Sequence, residues 1–304
     1  MKIAHVLHNP GAGSSENSEE KLMAAIEAEG YKCSYLSTKE KGWEKIESEN
    51  VDFIIVAGGD GTVRKLAGEL LDRKLIDKKL PIALLPQGTA NNIAKTLGIS
   101  GGATEIIKSW KQHELKKFDV GRIEGIKKAN FFIESLGYGV FPRLMKEMKK
   151  VEKNVSDIPG TRLTIALGLL HEIILTYKGR YCKIEIDDQD YSGKYLLAEV
   201  MNTISIGPNL NLAPFADPGD GFLEVVLIPE SQRQEFADYV MGRLNKKEEA
   251  PFFKVLKAKK LHTHWEGKAL HVDDEYIQLD EATEMKIEIQ AGLLEFLVPA
   301  RTTP

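Results

Sequence analysis

"FIIVAGGDGTVRK", residues Phe53 to Lys65, decides the fold. An unbroken apolar run that ends in glycine is the pattern of a strand buried on both faces. A helical pattern, Thr62 to Leu71, follows the loop directly, so the stretch reads as a strand-to-helix turn. The same alternation surrounds it: "IAHVL" precedes a helical pattern over Ser15 to Glu29, "YKCSYL" one over Gly42 to Glu47, and "PIALL" one over Ala90 to Leu97. Strands alternating with helices predict a parallel sheet with crossover helices.

In such a sheet, ligands collect in the crevice beyond the carboxyl ends of the strands. Those ends carry "HNPGAGSS", "STKEKG", "AGGDGT" and "LPQGTANN". Glycine has no Cβ, so Gly58, Gly59 and Gly61 can take positive φ and bring backbone N–H groups close to an anion. A helix starting near Thr62 adds its positive end. Both features suit phosphate. Asp60 does not, and implies a cation or a proton transfer unless it serves only as an N-cap in a tight turn. Arg64 and Glu16 stand where a GxGxxG fingerprint needs glycine, and neither Gly193-Lys194 nor Gly267-Lys268 completes a P-loop.

From about Ala129 the texture changes to β-rich segments such as "NFFIESLGYGV", "KYLLAEVMN", "GFLEVVLI", "KAKKLHTHW" and "MKIEIQ". Helical patterns interrupt them at Phe141 to Lys153, Thr161 to Thr176 and Gln232 to Leu244. The expected architecture is an α/β domain over residues 1–125 and a mainly antiparallel β domain over residues 126–290. Across the whole chain of 304 residues the net charge of −4 offers no basic excess for nucleic acid. Two distant cysteines, Cys33 and Cys182, fit a reducing compartment. The opening "MKIAHVLHNPGAG" reads as a strand and turn, and no run approaches the roughly 20 apolar residues of a membrane span. The expectation is a cytoplasmic protein whose membrane contact, if any, is peripheral, at the inner leaflet. Nothing in the sequence points to an oligomeric state.

Four motifs together resemble the bacterial lipid kinases with a diacylglycerol kinase catalytic domain, part of the NAD kinase/diacylglycerol kinase superfamily. They are "NPGAG" (Asn9 to Gly13), "GGDGT" (Gly58 to Thr62), "LPQGTANNIAKTLGI" (Leu85 to Ile99) and "APFADPGDGFLEVVLI" (Ala213 to Ile228). The resemblance implies an NAD-kinase-like α/β domain and a β-sandwich, with ATP bound between them and a lipid hydroxyl as acceptor. It implies that residues 291–304, with "GLLEFLV", return to the first domain as a final strand. Nucleotide contacts then fall on Asn9, Thr38, Gly58, Gly59, Asp60, Gly61, Thr62, Arg64, Gly88, Thr89 and Asn91. A structural Mg²⁺ falls on the Asp220 carboxylate with the carbonyls of Asp217 and Phe222. The acids of "VDDEY", Asp273 and Glu275, become the candidate bases, with Asp60 as a third. Alternation along a strand would point Asp273 and Glu275 to one face.

Phosphoryl transfer suits these residues, since it relies on positioning, cations at the phosphates and a carboxylate to take the hydroxyl proton. "DPGDG" alone is also an ordinary turn, and "VDDEY" an ordinary solvated hairpin end. Three positions depart from the family pattern: Lys65 stands for a usual Glu, Asn92 for a usual Asp, and Asp274 for a usual Gly. A superfamily kinase of a soluble alcohol, or a nucleotide binder with little catalysis, fits the same motifs. His171 in "HEIIL" lacks the second His of a zinc motif, and His262 and His264 in "HTHW" share one face of a strand. "PRLMKEMKKVEK" (Pro142 to Lys153) is a cationic helix whose default is a solvated face and which could meet anionic headgroups.

Overall fold

A computed structural model describes residues 1–12, 18–44, 50–72, 79–151, 160–247 and 253–300. The chain divides into two compact units, Met1–Asp119 with Ala291–Pro304, and Val120–Gln290. The elements run β1 (Ile3–His8), α1 (Glu19–Ala28), β2 (Lys32–Ser37), β3 (Phe53–Gly58), α2 (Asp60–Leu71), β4 (Ile82–Pro86), α3 (Asn92–Thr96), α4 (Ala103–Ser109) and β5 (His113–Glu124). Then come β6 (Phe131–Phe132), β7 (Ser135–Gly139), α5 (Val140–Val151), α6 (Thr161–Thr176), β8 (Arg180–Ile186), β9 (Gln189–Asp190), β10 (Gly193–Met201), β11 (Ser205–Ile206), β12 (Leu210–Asn211) and β13 (Leu223–Pro229). The last are α7 (Arg233–Leu244), β14 (Val255–Ala258), β15 (Lys260–Trp265), β16 (Ala269–Val272), β17 (Glu275–Gln278) and β18 (Thr283–Pro299).

In the first unit the strands lie in the order β18-β4-β3-β1-β2, and each neighbouring pair is parallel. Every residue of β3 is buried, as a central parallel strand covered on both faces must be. The helix behind it buries Val63, Leu66 and Ala67, an i, i+3, i+4 stripe against the sheet. Because β1 has β2 on one side and β3 on the other, the chain direction switches between β1 and β3. The switch falls at His8/Asn9 and Gly58/Gly59, the place where open α/β sheets bind their ligands. From β18, residues from Ala291 onward belong to this unit, and Asp119 fixes them by accepting the Gly292 N–H at 2.7 Å.

The second unit is an antiparallel assembly in which β10 pairs with β7, β13 and β8, β15 with β8 and the start of β18, and β16 with β7 and β17. Its core has two layers. One, around Phe132, Tyr138, Trp265 and Leu261, lies between strands; the other packs Phe141, Leu170, Ile174, Phe236 and Val240 of the three helices against Leu197 and Met201 of β10.

Several sequence expectations shift at element ends. The first helix starts at Glu19 with Ser18 as its N-cap, and the earlier part of the expected Ser15 start lies outside the described residues. Gly42 to Glu44 form turns, with the rest of that expected helix also outside them. The Ala90 to Leu97 pattern shrinks to Asn92–Thr96 because Asn91 takes the left-handed conformation (φ 53°). The helix expected over Phe141 to Lys153 is α5, with Lys153 outside the described residues.

Candidate active site

The loop after β3 is built for close approach rather than for unusual torsions. Gly58, Gly59 and Gly61 have no positive φ, contrary to the sequence expectation, and α2 begins at Asp60, two residues before Thr62. What the glycines provide is room. A Cβ on Gly58 would meet Thr62 Oγ1 at 2.5 Å, and one on Gly59 would meet the Gly88 Cα at 3.0 Å. In return, a Cβ on Gly88 would sit 2.7 Å from the Gly59 Cα and 2.8 Å from Asn91 Oδ1. The two glycine loops thus touch backbone to backbone, which only residues without side chains allow.

Asp60 ties the same loops together. Its carboxylate accepts the Asn92 N–H at 2.9 Å and the Ile93 N–H at 3.1 Å, capping α3 in place of its own helix. Asn91 accepts from Gly88 N and donates to Gly88 O, both at 2.8 Å, which closes the second loop on itself. The first motif joins through Asn9, whose Nδ2 donates to Thr62 Oγ1 at 3.4 Å while its Oδ1 accepts the Gly11 N–H at 3.1 Å. Thr38 stands at the end of β2, its N–H bonded to His8 O at 2.9 Å. Arg64 is half-buried at the start of the second turn of α2, and Thr89 is exposed. The sequence-predicted nucleotide residues therefore gather at the carboxyl ends of four neighbouring strands.

The acids of "VDDEY" are not equivalent. Asp273 and Asp274 form the turn between β16 and β17, and Asp273 is left-handed (φ 51°), so strand alternation does not govern where its side chain goes. Asp273 turns inward. It is 8% exposed, and its carboxylate accepts the N–H groups of Ile133, Glu134 and Ser135 at 2.8 to 3.2 Å. Glu275, by contrast, opens β17 with an exposed side chain.

Beneath this turn lies a pair that sequence reasoning missed. His271 Nε2 is 2.9 Å and 3.1 Å from the two carboxylate oxygens of Glu199, and its Nδ1 is 3.0 Å from the Asp273 carbonyl. Both ring nitrogens face acceptors, so the pair holds a proton at each of them. Burial alone would lower the imidazole, but the Glu199 charge and the Asp273 carbonyl outweigh it and leave His271 raised. Gly137 makes room, since a Cβ there would lie 1.8 Å from Glu199 Oε2. Only the distance in sequence between Glu199 and His271 hid this contact.

The metal-associated segment is held by an internal ion pair. Asp220 Oδ1 accepts the Phe222 N–H at 3.0 Å, Asp217 O accepts the Asp220 N–H at 3.2 Å, and Asp220 Oδ2 is ion-paired to Lys257. The register of β13 and β14, Glu224 opposite Lys257, brings that lysine in. Among the described residues no group of three or more His, Cys, Asp or Glu could hold a metal ion. At the Asp220 carboxylate, where the resemblance implies Mg²⁺ with the carbonyls of Asp217 and Phe222, the structure sets the Lys257 ammonium. His262 and His264 likewise form no metal cluster.

Glu224, beside this segment, is 3% exposed, and its Oε1 has no hydrogen-bond partner. Burial first, then the Asp220 charge, pushes its carboxyl up from 4.5 to about 7. A raised folded value means that the native state holds the proton more tightly, so stability is full below pH 4.5 and falls as pH rises through 7. The loss amounts to about 3 kcal/mol. His271 acts with the same sign above its ordinary 6.5. Glu224→Gln is expected to match the parent at pH 4.5 and to exceed it at pH 8. Urea unfolding at the two pH values checks this, and equal pH slopes for both proteins would refute it.

Comparison with known proteins matches this geometry. Residues 3–123 match the diacylglycerol kinase catalytic domain, and residues 149–276 match the YegS C-terminal NAD kinase beta sandwich-like domain. The chain is 25% identical to the diacylglycerol kinase of Bacillus subtilis (strain 168) over 246 residues, 78% of this chain and 77% of that protein. It is 26% identical to the diacylglycerol kinase of Staphylococcus aureus (strain MRSA252) over 288 residues, 90% of this chain and 86% of that one. In fold it is similar to the crystal structure of a diacylglycerol kinase from Bacillus anthracis strain Sterne, with a TM-score of 0.72, 24% identity, and coverage of 98% of this chain and 96% of that one. Yeast NADH kinase complexed with NADH shares the fold more distantly, with a TM-score of 0.53, 11% identity, and coverage of 99% and 84%. With its α/β unit matched to the diacylglycerol kinase catalytic domain and its antiparallel unit to the YegS C-terminal domain, the chain carries the two domains of a lipid kinase of the diacylglycerol kinase type.

Proposed function

We propose that the protein transfers the γ-phosphoryl group of ATP to the hydroxyl of diacylglycerol or a related lipid, presented at a membrane surface. The observation that carries this reading is the Asp60 junction. One carboxylate holds both glycine-rich loops together at the switch point of the sheet, where a nucleotide's phosphates would meet backbone N–H groups. ATP is the substrate as its magnesium complex. Asn9, Thr38, the Gly58 to Arg64 loop, Gly88, Thr89 and Asn91 bind and orient it.

Glu275 is the base. In the transfer, the lipid hydroxyl oxygen bonds to the γ-phosphorus, the bond from that phosphorus to the ADP oxygen breaks, and the hydroxyl proton passes to the Glu275 carboxylate. Asp273 is a positioning residue, because its oxygens are committed to three backbone donors. Asp60 is one too, for the same reason.

The test is a thin-layer radioassay of labelled ATP against diacylglycerol, phosphatidylglycerol, sphingosine and NAD. Label migrating with a lipid is the expected result. Label on NAD alone would identify a soluble-alcohol kinase, and no transfer to any acceptor would leave a nucleotide binder.

A further inference from the structure

The cationic helix α5 does not simply face solvent. It forms one wall of a cavity of about 190 Å³ in the second unit, to which it contributes Arg143 and Lys146. Arg180, at the start of β8, and Lys268, in the turn between β15 and β16, complete the lining charges. All four are cations. Among the described residues no carboxylate lines the cavity, although acidic residues outnumber basic ones in the chain, 45 to 41. Like charges gathered in one concavity repel unless an anion relieves them, and such a concavity concentrates anions from solution.

The chemistry of the lining narrows the ligand. Two guanidinium groups present planar forks that pair bidentately with phosphate oxygens, and two ammonium groups add point charge. Arg143 also reaches Glu147 at 2.9 Å, within its own helix and outside the lining. The Arg180 guanidinium lies near the Tyr177 phenol, which also lines the cavity. The floor is Trp265, 1% exposed, stacked on Tyr138 at 4.8 Å and anchored by donating to the Ala269 carbonyl at 3.2 Å. Gly267 lies against that indole: a Cβ there would be 2.2 Å from Nε1, so any side chain would displace the floor. The concavity is thus built in advance, with an aromatic base and a cationic rim. Its volume falls short of the roughly 300 Å³ at which pockets begin to enclose a whole drug-sized ligand. A headgroup fits there and acyl chains do not.

We propose that this cavity binds a phosphate ester group, that of a phospholipid headgroup or of a small soluble phosphate ester. The proposal does not depend on phosphoryl transfer, because the binding is read without ATP. The experiment compares the parent, Arg180→Ala/Lys268→Ala, and the control Lys183→Ala/Lys286→Ala, whose residues line a different surface of the same unit. Arg180, Lys268 and Lys183 are exposed and Lys286 makes only a surface ion pair with Glu288, so both doubles should keep the parent's melting temperature.

Each protein is sedimented with phosphatidylcholine vesicles containing or lacking phosphatidylglycerol, and titrated calorimetrically with glycerol 3-phosphate. The expected result is that phosphatidylglycerol recruits the parent and the control equally, and that the cavity double loses about tenfold or more. Glycerol 3-phosphate bound by the parent but not by the cavity double, without vesicle recruitment, also supports the site and makes its ligand the soluble ester. Equal losses in both doubles would mean diffuse surface charge and would overturn the proposal. So would a parent that binds neither probe.

Discussion

Glu275→Gln is expected to leave ATP affinity unchanged and to lower single-turnover phosphoryl transfer about 10²- to 10⁴-fold, the range for loss of a general base. The amide keeps the shape and most hydrogen bonds and lacks only the basicity. The contrast with Asp273 makes the test decisive. Asp273→Asn can keep an oxygen at the Oδ1 position, where Ile133, Glu134 and Ser135 donate, but it sets an NH₂ group at the Oδ2 position, 3.2 Å from the Ile133 N–H, and removes the charge that strengthens all three bonds. That variant should lose stability, seen as a lower urea midpoint, and its rate should suffer through the displaced turn. A fully stable Asp273→Asn with normal ATP affinity and a collapsed rate, alongside a near-normal Glu275→Gln, would transfer the role of base to Asp273.

Gly88→Val is expected to abolish tight ATP binding while the unit stays folded. Its Cβ would lie 2.7 Å from the Gly59 Cα, a backbone atom that cannot rotate away, so the two loops must part. Displacing a positioning element by about 1 Å costs on the order of 10²-fold, and the phosphate contacts of both loops move together here. Calorimetric titration with ATP reads the effect, and circular dichroism confirms the fold. Parental affinity in a folded variant would show that the loops can separate without consequence, and the phosphate-loop reading would fall. Gly88 is a sharper probe than Gly61, whose ordinary helical placement carries no torsional argument.

The parallel sheet of the first unit was legible because short apolar runs alternate with helical patterns, and because β3 and β4 are unbroken apolar runs that end in glycine and proline. The loops were legible for the same reason: "GGDGT" and "GTANN" interrupt hydrophobic patterns at fixed places. What Asp60 does was not, since its partners are the amides of Asn92 and Ile93, and no local pattern records a contact across that interval. The same holds for Lys257 and Asp220, which strand register brings together, and for His271 and Glu199. Single left-handed residues also escaped notice. Asn91 and Asp273 take a conformation that asparagine and aspartate tolerate but do not require, and each redirects a side chain that an ideal helix or strand would have placed elsewhere.

The first unit is closed by residues from the far end of the chain. Phe296 of β18 pairs with Ile82 of β4, and Ala291 onward belongs with Met1–Asp119. During synthesis, β4 therefore leaves the ribosome long before the strand that will cover its free side. Ribosomes add about 5–20 residues per second, so more than 200 intervening codons hold that hydrogen-bonding edge open for roughly 10 to 40 seconds. An unpaired edge of this kind recruits other strands. Slow codons between residues 86 and 291 are therefore expected to lower the soluble yield without altering a single amino acid, a loss that expression of a synonymous gene checks.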